Sequence, residues 1–407
     1  MKTDLKQLFK SIYHYHGSGG YTSLPPSSSD EKISIYRAPA RINIIGEHTD
    51  YNNGYVLPIC IDRYIWLLIT KRKDKVVNLY STNFPENFIS FNMENITVEN
   101  NWADLPKGVI KVLLESGFKL QGMNILYHSE IPIGSGLSSS AAVEVVTGYA
   151  IADMFSQRIE RKKLALVAQQ AEHEFLGVKC GIMDQFVISH GKENNAILLD
   201  CLDLNYNYIP LDMKEYTFVV CNSNVSRKLS SSEYNLRRAQ CEEGVKILRK
   251  YIKNKTINSL RDVTIEEFNR HKDKLPAVVR MRVEHVICEN QRVLDTVESI
   301  RRKNFARVGK YLTESHNSLR NLYEVSSREL DTLVEAAMKI SNCLGARLTG
   351  AGFGGCVIAL IRKDIYEEFK NVVTENYYKA TKIYPEVFPI AVVNGVERIE
   401  NDNSQIK

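Results

Sequence analysis

Two stretches of the chain concentrate residues able to do chemistry, and a third adds two carboxylates. The first runs Arg41-Ile-Asn43-Ile-Ile-Gly46-Glu47-His48-Thr49-Asp50-Tyr51. Carboxylates and an imidazole donate and accept hydrogen bonds in the directions a polyhydroxy ligand needs. Glu47, His48 and Asp50 therefore read either as a hydroxyl-binding loop or as an exposed polar turn. Arg41 and Asn43, two apart on a strand, project from one face, where an arginine could steady a developing alkoxide or phosphoryl oxygens. The second stretch, Ile131 to Ala142, is Ile-Pro-Ile-Gly-Ser-Gly-Leu-Ser-Ser-Ser-Ala-Ala. Gly134 and Gly136 permit a sharp turn, and the serines that follow offer hydroxyls and backbone N–H groups where a helix begins. That is the make-up of a phosphate cradle, although a flexible loop with a serine cap has the same composition. The third stretch holds Glu172, beside an apolar helical stripe, and Asp184. Glu172 either meets a cation such as Mg²⁺ or reaches solvent. Asp184 is either a helix cap or a general base.

These residues need elements to carry them. Ile33–Tyr36, Tyr55–Thr70, Lys75–Ser81 and Phe88–Phe91 read as strands, and Met123–Tyr127 as the strand that feeds the serine loop. Helices are expected over Leu5–Tyr15, from Trp102 to Leu114, over Ala141–Phe155 and over Arg161–Phe175. In the last of these Leu164, Val167, Ala168, Ala171 and Phe175 keep helical spacing. Gly177 ends it, and Asp184 is expected in a short turn leading to a strand at Ala196–Leu199. Another strand surrounds Phe218–Cys221, and Ser231 or Ser232 can cap the helix that bears Tyr234. A long helical region spans Pro276–Ser318, and Ser326-Ser-Arg-Glu329 reads as a capping box. Strands at Ala346–Thr349 and Cys356–Ile361 flank a second glycine loop. The Gly17–Asp30 segment and the tail after Glu400 read as loops.

The totals narrow the function classes. With 407 residues, two domains with substantial cores are expected. The net charge of +5 is mild and dispersed, which disfavours nucleic-acid binding. No Gly-x-x-x-x-Gly-Lys-Ser/Thr and no early Gly-x-Gly-x-x-Gly occurs, which disfavours Walker-type and Rossmann nucleotide sites. Eight cysteines without Cys-x-x-Cys pairing suggest reduced thiols. With no apolar run of membrane-spanning length and no leader-like N-terminus, a cytoplasmic protein is expected.

Taken together, Arg41 to Tyr51, Ile131 to Ala142 and Leu348 to Cys356 resemble the three motifs of galactokinases in the GHMP kinase superfamily. Cys180-Gly-Ile-Met-Asp-Gln-Phe186 and Asn222-Ser-Asn-Val with Ser-Ser-Glu-Tyr234-Asn-Leu-Arg-Arg238 resemble them too. The likeness runs in order from about Tyr36 to Leu360. It implies an α+β, two-domain GHMP kinase fold: an N-terminal ribosomal-S5-like domain, about 20–205, and a C-terminal ferredoxin-like domain, about 206–400, with the active site between them. It further implies phosphoryl transfer from ATP to the C1 hydroxyl of α-D-galactose, with Mg²⁺ as cofactor and a monomeric protein. On that resemblance Asp184 is the base and Arg41 orients the reacting oxygen. Glu47, His48, Asp50, Gly181 and Tyr234 contact the sugar. Gly134, Ser135, Gly136, Leu137, Ser138, Ser139 and Ser140 hold the phosphates, Trp102 lies near the adenine, and Ser140 (or Ser139) with Glu172 completes the metal shell. The chain departs from the family pattern at Leu105, where a tyrosine is usual. It also departs at Ser226-Arg227-Lys228-Leu229, which lacks the usual histidine, at Asn321 in place of an aspartate, and at Ala351 in place of a glycine. An N-acetylgalactosamine kinase is the neighbouring alternative, and a non-catalytic sugar sensor is the alternative outside enzymes; the uninterrupted serine loop disfavours the sensor.

Overall fold

The computed structural model describes residues 2–15, 32–225 and 230–399, so the Gly17–Asp30 loop, Ser226–Leu229 and the tail after Glu400 lie outside the described residues. The N-terminal half contains β1 (Ser34–Asn43), β2 (Tyr55–Val56), β3 (Pro58–Lys71), β4 (Val76–Ser81), β5 (Ile89–Asn92), β6 (Met123–Ser129), β7 (Asn195–Asp200) and β8 (Tyr206–Pro210). Its helices are α1 (Lys2–Tyr15), α2 (Asp104–Glu115), α3 (Ser139–Met154), α4 (Arg161–Gln170) and α5 (Met183–His190). The C-terminal half supplies β9 (Tyr216–Asn222), β10 (Cys343–Thr349), β11 (Cys356–Arg362), β12 (Glu386–Pro389) and β13 (Glu397–Ile399). Its helices are α6 (Ser230–Tyr251), α7 (Ile265–His271), α8 (Ala277–Arg301), α9 (Phe305–Ser318), α10 (Arg328–Met338) and α11 (Tyr366–Thr381).

Three sheets result, in the orders β13-β1-β3-β6-β4-β5, β2-β7-β8 and β10-β11-β9-β12. The β4–β6 pair is parallel, and its crossover carries α2. The four-stranded sheet is shared between two cores. Phe218 and Val220 of β9 face the N-terminal core, whereas Val219 and Cys221 face the C-terminal helices, as strand alternation requires. The halves therefore meet through packed apolar side chains. The chain's end also returns to its beginning: β13 pairs with β1, Ile399 opposite Ile35, and the Val396 N–H donates to the Ile188 carbonyl at 2.8 Å. That pairing covers an edge of β1 that would otherwise stand open, and it places residues 392–399 against the N-terminal half.

Some local expectations shift. Asp184 lies in the first turn of α5, an eight-residue helix, and not in a simple turn before a strand. The α4 helix gives way to a π-helical turn at Ala171–Phe175, which carries Glu172. The long C-terminal helical run breaks at Lys303, whose φ is 55°, and Asn304 caps α9 by accepting from the Arg307 N–H at 3.1 Å. The cap of α10 is Ser327, which accepts from Leu330 N–H at 3.3 Å, because Ser326 turns its hydroxyl to Asp331 at 2.5 Å.

Candidate active site

The end of β1 and the starts of α3 and α5 converge on a cleft of about 590 Å³. Its walls include Arg41, Glu47, His48, Asp50, Gly134, Gly136, Ser138, Ser139, Ser140, Glu172, Gly181, Asp184 and Tyr234.

Arg41 fixes the centre. Its Nε and Nη2 each donate to one oxygen of Asp184 at 2.8 Å, and its Nη1 donates to the Gly136 carbonyl at 2.7 Å. Its backbone N–H meets the Leu137 carbonyl at 3.2 Å, so one residue ties the serine loop to the candidate base. The bidentate geometry is specific to a guanidinium and a carboxylate. Burial opposes the Arg41 charge, but Asp184, with Glu47 and Asp50, outweighs it and the guanidinium pKa lies above its usual value.

Gly134 and Gly136 adopt φ of 73° and 75°, and Ser138 adopts 62°, which turns its hydroxyl onto Asp184. The loop then runs into α3 with no side-chain cap, leaving its first N–H groups free to meet an anion. Ser139 and Ser140 line the cleft beside it. Ser135 bonds back to the Pro132 carbonyl at 2.7 Å, and Leu137 is buried in the core, so these two shape the loop with their side chains turned away from the cleft. Trp102 does not line the cleft either. It stacks on Phe84 with ring centroids 6.3 Å apart, and its buried Nε1 has no hydrogen-bond partner.

Glu172 meets Ser140, Cys180 and the fully buried Glu144. Burial, then Glu172, pushes the Glu144 carboxyl well above the ordinary range, and burial with Asp184 raises Glu172. The Oε1 atoms of Glu144 and of its neighbour Gln185 are buried without a partner. Glu144, Glu172 and Asp184 thus crowd together, and Arg41 is paired to Asp184. Among the described residues no three His, Cys, Asp or Glu side chains form a closed metal cage. The donor set of Ser140 and Glu172 nevertheless fits Mg²⁺, a hard ion that takes one or two protein oxygens and completes its shell with phosphate and water.

On the opposite wall, Asp50 accepts from the Tyr51 N–H at 2.9 Å, and burial followed by Asp184 pushes its pKa up to about 7. Gly181 lies against this carboxylate so closely that a Cβ there would stand 1.6 Å from Asp50 Oδ2. Tyr234 comes from α6, 5.0 Å from Tyr51 between ring centroids. Glu47 and His48 stand at the cleft wall but spend their polar atoms on protein. Glu47 Oε1 accepts from Gly350 N–H at 2.7 Å and is ion-paired with Arg347 Nη2 at 2.9 Å, and Oε2 accepts from Asn43 Nδ2 at 2.9 Å. His48 meets Tyr51 at Nδ1, 2.8 Å, and the Ala351 carbonyl at Nε2, 3.2 Å. Both residues thereby brace the second glycine loop.

Family models match this chain in three places: the galactokinase galactose-binding signature at residues 27–71, the GHMP kinases N terminal domain at 104–192, and the GHMP kinases C terminal at 296–379. A galactokinase of Clostridium tetani is 43% identical over 89% of this chain and 92% of its own length. A galactokinase of Fusobacterium nucleatum is 37% identical over 98% of this chain and 100% of its own. The chain belongs to the galactokinase family. A crystal structure of Lactococcus lactis galactokinase complexed with galactose superposes with a TM-score of 0.90 at 34% identity, covering 98% of this chain and 99% of that one. A Methanococcus jannaschii mevalonate kinase, 20% identical with a TM-score of 0.64, shares the fold. This galactokinase-family chain thus has the two-domain GHMP kinase fold. Its sequence motifs pointed to the cleft residues, but gave no role to Tyr51 and Gln185, which lie within them, or to Glu144, Tyr323 and Arg347, which lie outside. Glu144 carried one usable signal, a carboxylate shortly after the serine run in an otherwise apolar helix.

Proposed function

We propose that this chain transfers the γ-phosphoryl group of ATP to the C1 hydroxyl of α-D-galactose, with Asp184 as the base. The observation that carries the reading is the bidentate Arg41–Asp184 pair joined through Gly136 and Ser138 to a glycine-serine loop at a helix N-terminus. A hydroxyl placed at Asp184 gives up its proton to the carboxylate as its oxygen bonds to the γ phosphorus, and the bond from that phosphorus to the bridging β–γ oxygen breaks. An anomeric hydroxyl is more acidic than an ordinary alcohol, so an arginine-paired carboxylate suffices. Phosphoryl transfer depends chiefly on in-line placement and charge neutralisation. Gly134 to Ser140 supply N–H and hydroxyl donors to the phosphates, and Arg41 faces the same oxygens. Asp50, the Gly181 backbone and Tyr234 offer the sugar its hydrogen-bond partners, with His48 and Glu47 behind them. Ser140 and Glu172 would hold Mg²⁺, whose charge offsets that of the phosphate oxygens.

The test is ADP release by the purified protein with ATP and Mg²⁺, offering galactose, N-acetylgalactosamine, glucose and arabinose in parallel. Turnover confined to galactose is expected. Preference for another sugar would move the substrate, and binding of sugar and ATP without turnover would overturn the reading.

A further inference from the structure

The cleft histidine sits at one end of a hydrogen-bonded chain whose direction can be deduced. His48 Nε2 lies 3.2 Å from the Ala351 carbonyl, which can only accept, so the ring proton is on Nε2. Burial lowers the His48 pKa to about 3 and keeps the ring neutral, so Nδ1 is a bare acceptor and the Tyr51 hydroxyl 2.8 Å away donates to it. Having spent its proton, Tyr51 accepts from the Tyr323 hydroxyl at 2.8 Å, and Tyr323 in turn accepts from the Cys241 thiol at 3.2 Å. We propose that Tyr51 and Tyr323 are positioning residues that hold the His48 imidazole in its Nε2–H form, so that its ring proton stays on the Ala351 carbonyl and His48 ties the cleft wall to the second glycine loop.

Three further observations support the relay. His48 has φ of 63°, and Asn52 Nδ2 donates to its carbonyl at 3.0 Å, which sets the direction of the side chain. Its ring is packed among those of Tyr323, Tyr234 and Tyr51, with centroids 4.7, 5.7 and 5.9 Å away. Cys241 and Tyr234 both belong to α6, so the helix that brings a phenol to the cleft also anchors the far end of the relay. His48 Nε2–H thus holds the Ala351 carbonyl, and Ala351 itself lines the cleft. Any effect of this bracing on the sugar rests on the proposed function, whereas the relay itself does not.

Long-range ¹H–¹⁵N correlation of the histidine rings at pH 7, without sugar, reads the tautomer directly, with His48→Gln assigning the signal. His48 is expected to carry its proton on Nε2 alone. Tyr51→Phe is expected to shift signal toward the Nδ1–H form. Tyr323→Phe, one step further along, should move the Nδ1 resonance the same way by less, which keeps the test open if Tyr51→Phe folds poorly. In the same variants the KM for galactose is expected to rise roughly 2–10-fold, the range set by one neutral hydrogen bond, while kcat changes little. A wild-type Nδ1–H tautomer, or one that neither phenylalanine variant alters, would overturn the relay. The expected tautomer in a protein that does not turn over galactose would uphold the relay and count only against the sugar reading.

Discussion

Asp50 links the site to pH. Its folded pKa of about 7, raised by burial and then by Asp184, exceeds the unfolded value of about 4, so the folded protein binds more protons between those limits. Its contribution to stability is present below about pH 4 and is lost as pH rises through about 7. Replacing the carboxylate by an amide removes that loss, so the melting temperature of Asp50→Asn relative to the parent should climb from about pH 5 to about pH 8; a difference that stays flat or falls contradicts the assignment. For Glu172→Gln, with one of two candidate metal oxygens weakened, the Mg²⁺ concentration giving half-maximal ADP release is expected to rise roughly 10–100-fold. An unchanged Mg²⁺ midpoint would remove Glu172 from the metal shell. Arg41, Asp50 and Asp184 were legible because their types and spacing suited only a few kinds of chemistry. Tyr51 and Tyr323 were not, because their roles arise from a contact between residues 272 positions apart.

Close packing between elements explains why Gly181 must be a glycine. Its backbone passes so near Asp50 that Gly181→Ala would drive a methyl group into the carboxylate and push the segment before α5 away from the turn that carries Asp50. The KM for galactose in Gly181→Ala is expected to rise at least about tenfold while the overall fold persists, the scale of effect that a small misplacement near a reacting centre produces. A normal KM would show that the segment before α5 can yield. The longer elements were readable because α2, α3 and β6 have clean hydrophobic runs or periods. The helix α5 was missed because it has only eight residues, nearly all buried, which leaves no polar face to set its period. The π turn at Glu172 was equally hidden, since it keeps the apolar spacing of the helix it interrupts.

At the scale of the whole molecule, one buried ion pair joins the two halves. Arg347 of β10 is fully buried and contacts Glu47 at 2.9 Å, while its Nη1 donates to the Ile44 carbonyl at 2.9 Å. Glu47→Gln leaves that guanidinium without its countercharge, and a stability loss of about 3–5 kcal/mol is expected in urea melts. A loss under about 1 kcal/mol would mean that the halves are held without this ion pair, by their apolar contacts and the Arg347–Ile44 hydrogen bond. The sequence indicated two halves but not the return of β13 to β1, because a three-residue strand has too little pattern to reveal its partner. The joined halves exist, on this account, to put Asp184 beside both a sugar hydroxyl and the serine loop. The most direct test is Asp184→Asn, measured for galactose binding by calorimetry and for galactose-dependent ADP release. Binding within a fewfold of the parent, with turnover lower by about 10²–10⁴-fold, is expected. An Asp184→Asn enzyme that binds galactose and keeps most of its turnover would contradict Asp184 as the base.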